Sequence, residues 1–539
     1  MSLTIISLGK NEGVFFEIIG VLNRERVPER IWRKDYTLWS LKPVEITNRL
    51  GWLDVMDSMY KHTPELKAFS EELRQDGISD VVLLGMGGSS LGAEVLNQVL
   101  GHKDDCSRLT VLDSTIPETV NNVRESIEPS KALFLVSSKS GTTAETLALF
   151  NYFHAVESNN SGINAGAHFT AITDPGSPLE SLAQEKGFRR IFRNPEDIGG
   201  RYSVLSYFGL VPATVMGIDI EELLASAGKI RGRCGPNLRA EENEGCRLAA
   251  YLGAMMKQGR DKVTIITSST LNSFGLWAEQ LIAESTGKSG KGLVPITGEP
   301  QVEASLYGND RAFVYLRLKG GSNSTTDSFI DEVKSAGQPI AMIEAEDELE
   351  LGALFYLWEF AIAVVGMLIG IHPFNQPDVQ RSKDATKKIL SQYKDRNKLP
   401  SIEADKSLCD LLSRATQGDY FAIMAYIRQT PETDEAFYRL RLNIIENYQL
   451  ATTLGYGPRF LHSTGQLHKG GPNKGLFLQV VPDRYKDIPV TGQSYSFGAM
   501  SNAEALGDLQ TLQSLNRRIA RIVLDPFRIN DTLEAERAI

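Results

Sequence analysis

Cysteine is scarce in this sequence: 539 residues carry four, Cys106, Cys234, Cys246 and Cys409. No Cys-x-x-Cys occurs, and only Cys234 and Cys246 are near each other. That argues against a zinc site or a disulfide framework and points to a reducing cytoplasm. Positive charge is also in deficit, 57 Lys and Arg against 67 Asp and Glu, a net −10. Nucleic acid is therefore not expected as a partner, because its phosphates need clustered Lys and Arg. An anionic metabolite is still allowed, since a pocket can be positive inside an acidic protein. A cleavage-site pattern is missing from residues 1–13, where Lys10, Asn11 and Glu12 follow an apolar patch. No signal peptide is expected.

Long apolar runs are nearly absent too. Residues 353–371 form one, but Glu359 lies inside it and the upstream flank 344–350 is acidic rather than basic. Length alone permits a membrane span. A helix buried between sheet and neighbours explains the same run, and no membrane partner is expected.

What is present is ordinary for a soluble globular chain: 42% hydrophobic and 23% charged residues. The length implies about three domains. From residue 80 a regular alternation begins. Apolar strands at 80–84, 109–112, 132–136 and 168–172 are separated by helical stretches such as 91–100 and 144–153. A second round has helices over 223–257, strands at 262–266, 312–318 and 338–343, and a helix near 327–335. Strands alternating with helices imply doubly wound parallel sheets. After 400 the pattern predicts helices over 408–428, 435–448 and 506–520 and a strand over 475–481. The expected fold class is α/β: two tandem doubly wound domains plus a smaller C-terminal α/β module. The expected division is an extension over 1–45, domains over 46–225 and 226–400, and the module over 401–539.

Two loops sit at strand ends, where open parallel sheets bind ligands. Residues 85–92, Gly-Met-Gly-Gly-Ser-Ser-Leu-Gly, let a backbone approach a ligand closely at Gly87, Gly88 and Ser89. The dinucleotide alternative, with Asp113 as the ribose acid, lacks its third glycine, because position 90 is serine. Residues 137–146 place Ser138, Lys139, Ser140 and Thr143 before a helix, a set suited to a phosphate monoester. The order is not that of a P-loop. A third stretch, 283–288, puts Glu284 among small and cationic neighbours at a helix end. A general base needs such reach, although a polar helix end closed by glycine reads the same.

Taken in order, these motifs resemble the sugar-isomerase (SIS) phosphosugar-binding fold, and within it the glucose-6-phosphate isomerase family. Residues 85–92 look like that family's glycine loop, and 138–143 like its phosphate loop. Asp-Ile-Gly-Gly-Arg-Tyr-Ser at 197–203, with Gly200 and Arg201, is similar to its first signature, and 284–288 to its catalytic-base motif. Residues 374–383, with Gln376 and ending in Lys383, are similar to its second signature. Residues after 400, notably 453–462, resemble the C-terminal part of fused transaldolase/glucose-6-phosphate isomerases, though no room for a transaldolase barrel precedes residue 80. Asn375, Asp378 and Gln380 depart from the second signature.

The resemblance implies reversible isomerisation of glucose 6-phosphate and fructose 6-phosphate, a step of glycolysis and gluconeogenesis, in a cytoplasmic homodimer. Glu284 would move a proton between C2 and C1. Arg201 would face the enediolate charge, since guanidinium stays protonated. Lys383 would help open the sugar ring. No metal or organic cofactor is required. A dual phosphoglucose/phosphomannose isomerase and a non-catalytic phosphosugar sensor are the alternatives. The family's histidine downstream of the base is missing: residues 298–318 contain none. Of the seven histidines, His462 and His468 lie in a glycine-rich segment with Lys469. This segment is expected to fold over the sugar site, and His468 or His462, from the same chain or from a partner subunit, to supply the ring-opening group.

Overall fold

Three sheets organise the chain. The structure is a computed structural model and describes residues 1–404 and 407–525, with backbone alone over 160–164. After β1 (Ser2–Ser7) come β2 (Asp80–Gly85), β3 (Arg108–Leu112), β4 (Ala132–Ser137), β5 (Phe169–Thr173) and β6 (Arg190–Arg193). Strands β2 to β6 form a five-stranded parallel sheet in the order β3-β2-β4-β5-β6. Every residue of β2 and of β4 is buried, which is why both read as unbroken apolar runs rather than alternating ones.

The second sheet takes β7 (Lys262–Thr267), β8 (Val294–Thr297), β9 (Arg311–Leu318) and β10 (Ile340–Ala345). Its order is β1-β10-β9-β7-β8, parallel except at β1, which pairs antiparallel with β10. The segment read as an N-terminal extension thus supplies an edge strand to the second domain. The third sheet contains β11 (Tyr420–Ala425), β12 (Ala451–Tyr456), β13 (Gly475–Pro482) and β14 (Arg518–Leu524), all parallel, in the order β12-β11-β13-β14.

The apolar run is the helix Leu351–Leu368, buried over nearly its whole length against the helices Ile220–Arg233, Glu244–Lys257 and Phe274–Thr286. Among the described residues it is the one helix long and apolar enough to cross a membrane. Both carboxyl oxygens of Glu359 are buried there without a hydrogen-bond partner among the described residues, and burial pushes its carboxyl well above the usual range.

Two predicted helices need correction. Over 408–428 only Leu408–Leu412 is helical, and β11 follows. The run 420–425 is continuously apolar, and a short run of that kind cannot be told from a helix by periodicity. Gly418 at φ +84° separates the two pieces, a backbone conformation that glycine takes without strain. Over 506–520 the helix is Phe497–Ser514, capped by Ser496, and the remainder enters β14.

Candidate functional site

The hydroxyl-rich loop expected to hold phosphate leaves β4 at Ser137 and opens the helix Ala144–Ser161. Its hydroxyls are paired among themselves: Ser138 Oγ lies 3.0 Å from Thr143 Oγ1, and Ser140 Oγ lies 2.9 Å from Thr142 Oγ1. Gly141 donates its N–H to Ser138 Oγ at 3.2 Å. Its φ is +68°, and a Cβ there would stand 2.6 Å from the Leu179 nitrogen, so the turn closes only with glycine. Ser140 is exposed and Thr143 half-buried, which leaves both reachable by an anion. Lys139 turns away and pairs with Asp174.

The glycine loop touches three other motifs. A Cβ on Gly88 would stand 2.1 Å from the Gly200 oxygen, and one on Gly87 would stand 2.8 Å from Gln280 Nε2 and 2.9 Å from the His462 oxygen. No larger residue fits either place. Ser89 is buried behind them, its carbonyl accepting from Ser137 Oγ at 2.9 Å.

Glu284 projects from the last turn of the helix Phe274–Thr286. Its Oε2 lies 3.4 Å from Arg201 Nη1 and accepts from Gln280 Nε2 at 3.2 Å. Arg201 is 4% exposed and held on every side. It donates to Ser285 Oγ at 2.8 Å, to Gln376 Oε1 at 3.1 Å, and to the Pro373 and Asn375 carbonyls at 2.5 and 3.0 Å. With the guanidinium fixed by these acceptors, no side-chain rearrangement is needed when charge develops nearby. Lys288 is buried close by and donates to the His372 carbonyl at 2.6 Å. Burial, with the Arg201 charge adding to it, holds its ammonium well below the usual lysine range.

The opposite side of the cleft comes from the C-terminal module. The turn Arg459–His462 brings the His462 ring to the first turn of the helix Ala144–Ser161, where Nε2 lies 2.7 Å from Glu145 Oε1. The His462 carbonyl accepts from Gln280 Nε2 at 2.8 Å. Burial alone would push the Glu145 carboxyl up, but the adjacent His462 and the charge of Lys383 outweigh it and hold it at about 2. Lys383 itself is exposed, on the helix Val379–Arg396.

His468, the other ring-opening candidate, is buried among aromatic rings rather than displayed on a loop. It lies in the short helix Gly465–Gly470, 4% exposed, its ring centroid 4.9 Å from that of Phe477 and 6.1 Å from that of Phe460. Burial, with Lys469 and Arg517 nearby, keeps the ring neutral by pushing its pKa well down. His372 is held at a helix end, Nδ1 accepting from the Phe374 N–H at 3.1 Å and Nε2 lying 3.0 Å from the Val44 carbonyl. Sequence reasoning passed over Glu145 and Gln280. An acid in a first turn is common on dipole grounds alone, and a helix glutamine carries no signal until its partners are seen.

A family model described as phosphoglucose isomerase matches residues 49–298, a span that contains the glycine loop, phosphate loop, Arg201 and Glu284. The glucose-6-phosphate isomerase of Rubrobacter xylanophilus is 31% identical over 368 residues, 59% of this chain and 84% of the relative. The chain belongs to the phosphoglucose isomerase family. Two solved structures share the family fold. A hypothetical protein of Thermus thermophilus matches with a TM-score of 0.62 at 24% identity, covering 72% of this chain and 99% of that one. A glucose-6-phosphate isomerase from Chlamydia trachomatis matches with a TM-score of 0.58 at 22% identity, covering 70% and 86%. Gln376, Lys383 and His462 lie beyond the residues the family model matches.

Proposed function

We propose that this site interconverts glucose 6-phosphate and fructose 6-phosphate by moving one proton between C2 and C1. The observation that carries the reading is the meeting of the Glu284–Arg201 pair, Gly87 and the His462–Glu145 pair around Gln280, whose amide donates to both Glu284 and the His462 carbonyl. The phosphate group is held by Ser138, Ser140 and Thr143 with the N-terminus of the helix Ala144–Ser161. Glu284 takes the proton from C2 and returns it to C1. Arg201 stabilises the enediolate formed between the two transfers. His462, oriented by Glu145, exchanges a proton with the ring oxygen so that the cyclic sugar opens, and Lys383 lends positive charge to the same edge. Every group named belongs to one chain. A homodimer is a separate proposal, tested by light scattering across a concentration series. Placement in the cytoplasm is likewise proposed, supported by the scarcity of cysteine, four in 539 residues with no Cys-x-x-Cys.

The test is a coupled assay from fructose 6-phosphate to glucose 6-phosphate, with mannose 6-phosphate in a parallel arm. Turnover of fructose 6-phosphate that survives a chelator supports the reading. Absence of turnover, or turnover of mannose 6-phosphate alone, overturns it.

A further inference from the structure

A second cavity, of ≈ 630 Å³, opens between the second sheet and the C-terminal module. That volume lies within the range of small-molecule sites, about 300–1,000 Å³. It is placed where open parallel sheets bind ligands, beyond the carboxyl ends of strands. Ser269 and Thr270 follow β7, Thr297 and Gly298 end β8, and Tyr456 ends β12. The helix that carries Glu284 also lines this cavity, but through Glu279. Five helical positions turn a side chain by about 140°, so the two carboxyl groups address different spaces.

The charges of the lining exclude an anion. Arg459 is closed on Asp113 by two hydrogen bonds of 2.8 Å. Arg441 donates to the Gly298, Thr297 and Thr452 carbonyls at 2.8, 3.1 and 3.0 Å and to Thr452 Oγ1 at 3.1 Å. Glu94, Glu279 and Asp434 face the same space. A phosphate would meet two committed guanidinium groups and three carboxyl groups.

A cation is poorly served as well. Asp434 accepts from the Tyr456 hydroxyl at 2.5 Å and from Gln429 at 3.1 Å, and Glu279 accepts from the Thr297 hydroxyl at 2.5 Å. Burial pushes the Glu279 carboxyl up to about 7, so near neutrality it offers a proton as readily as a charge. What the wall presents is a mixture of neutral donors and acceptors. Ser269, Thr270 and Asn272 line it exposed, Ser273 lies beside them with its Oγ buried, and the lining residue Tyr438 is 45% exposed. A hydroxyl group donates and accepts at once, and the C–H face of a sugar packs on an aromatic ring.

We propose that this cavity is a binding site for an uncharged polyhydroxylated molecule, a sugar or polyol without phosphate, distinct from the isomerase cleft. The probes are maltose, glucose and sorbitol, titrated calorimetrically into the full-length protein with saturating fructose 6-phosphate present. At least one should bind saturably. Tyr438→Ala and, independently, the cavity-filling Ser273→Phe should each weaken it about tenfold or more. Thermal melts establish that both variants are folded, and each variant serves if the other is not. Failure of all three probes to bind under these conditions, unchanged affinity in the folded variants, or tighter binding of inorganic phosphate or spermidine would overturn the proposal.

Discussion

Glu284 and His462 meet at Gln280, which donates to both, from two walls that are held in different ways. The Glu284 wall belongs to the doubled sheet core. Arg201 there is locked by side chains and carbonyls from two segments, 284–285 and 373–376, and Gly88 fits against Gly200 with no space for a side chain. The His462 wall belongs to the small third sheet. Its ring and turn are tied across the cleft by His462 to Glu145 at 2.7 Å, by Gln280 to the His462 carbonyl at 2.8 Å, and by Arg459 to Asp113 at 2.8 Å. The difference separates two chemical tasks. The carboxylate proposed for proton transfer between carbons lies in the part that matches the family, while the histidine proposed for ring opening comes from a module outside that match.

Four variants and one titration sharpen or break this division. The largest effect is expected from Glu284→Gln, which keeps shape and removes basicity. We expect kcat to fall by ~10³ for cyclic and open-chain substrate alike, with phosphosugar binding little changed. A variant that keeps a tenth of the activity would place the base elsewhere.

His462→Ala should act on one task alone. Turnover of cyclic glucose 6-phosphate should slow by ~10², while solvent exchange of the C2 proton in an open-chain substrate stays near the parent rate. Equal losses in both assays would merge the two walls into one function. The double change Ser140→Ala with Thr143→Ala should raise KM by ~10-fold or more and weaken inhibition by inorganic phosphate, because hydrogen bonds to a charged group are lost. Unchanged phosphate inhibition would remove the loop from binding.

The smaller effects concern the module. His468→Leu should leave both assays within about twofold and stability within ~1.5 kcal/mol, since a neutral ring with an unpartnered nitrogen is exchanged for an apolar side chain. A selective loss of cyclic turnover there would return His468 to the site.

Acid titration tests the tie between the walls. Glu145 is held at about 2 against an ordinary 4.5, a depressed folded value. Its contribution to stability is complete above 4.5 and disappears as pH falls toward 2. Melting temperatures of the parent and Glu145→Gln should therefore differ at neutral pH and converge over that window. A gap that is constant with pH would mean that the His462–Glu145 pair contributes nothing.

Much of the fold was legible in the residues. Continuous apolar runs at 81–84 and 132–136 can be stable only when both faces are covered, so they announce interior parallel strands. Loops rich in glycine and serine directly after them mark ligand-binding strand ends for the same reason. The run 420–425 was misread because six apolar residues fit a helix turn or a buried strand equally well, and only its pairing with β12 and β13 decides. The antiparallel β1 was not legible at all, since its partner β10 lies more than 300 residues away.

By itself the sequence determined which residues have the chemistry: a carboxylate at 284, a guanidinium at 201, a run of hydroxyls over 138–143, and histidines at 462 and 468. Tertiary structure alone decided which of them share a space. His462 and His468 stand in one glycine-rich segment and are indistinguishable by composition. One ring ends 2.7 Å from a buried carboxylate and the other between two phenylalanines. A side chain's protonation and reach depend on solvent exclusion and on neighbours brought from distant parts of the chain, and those are set by packing rather than by local sequence.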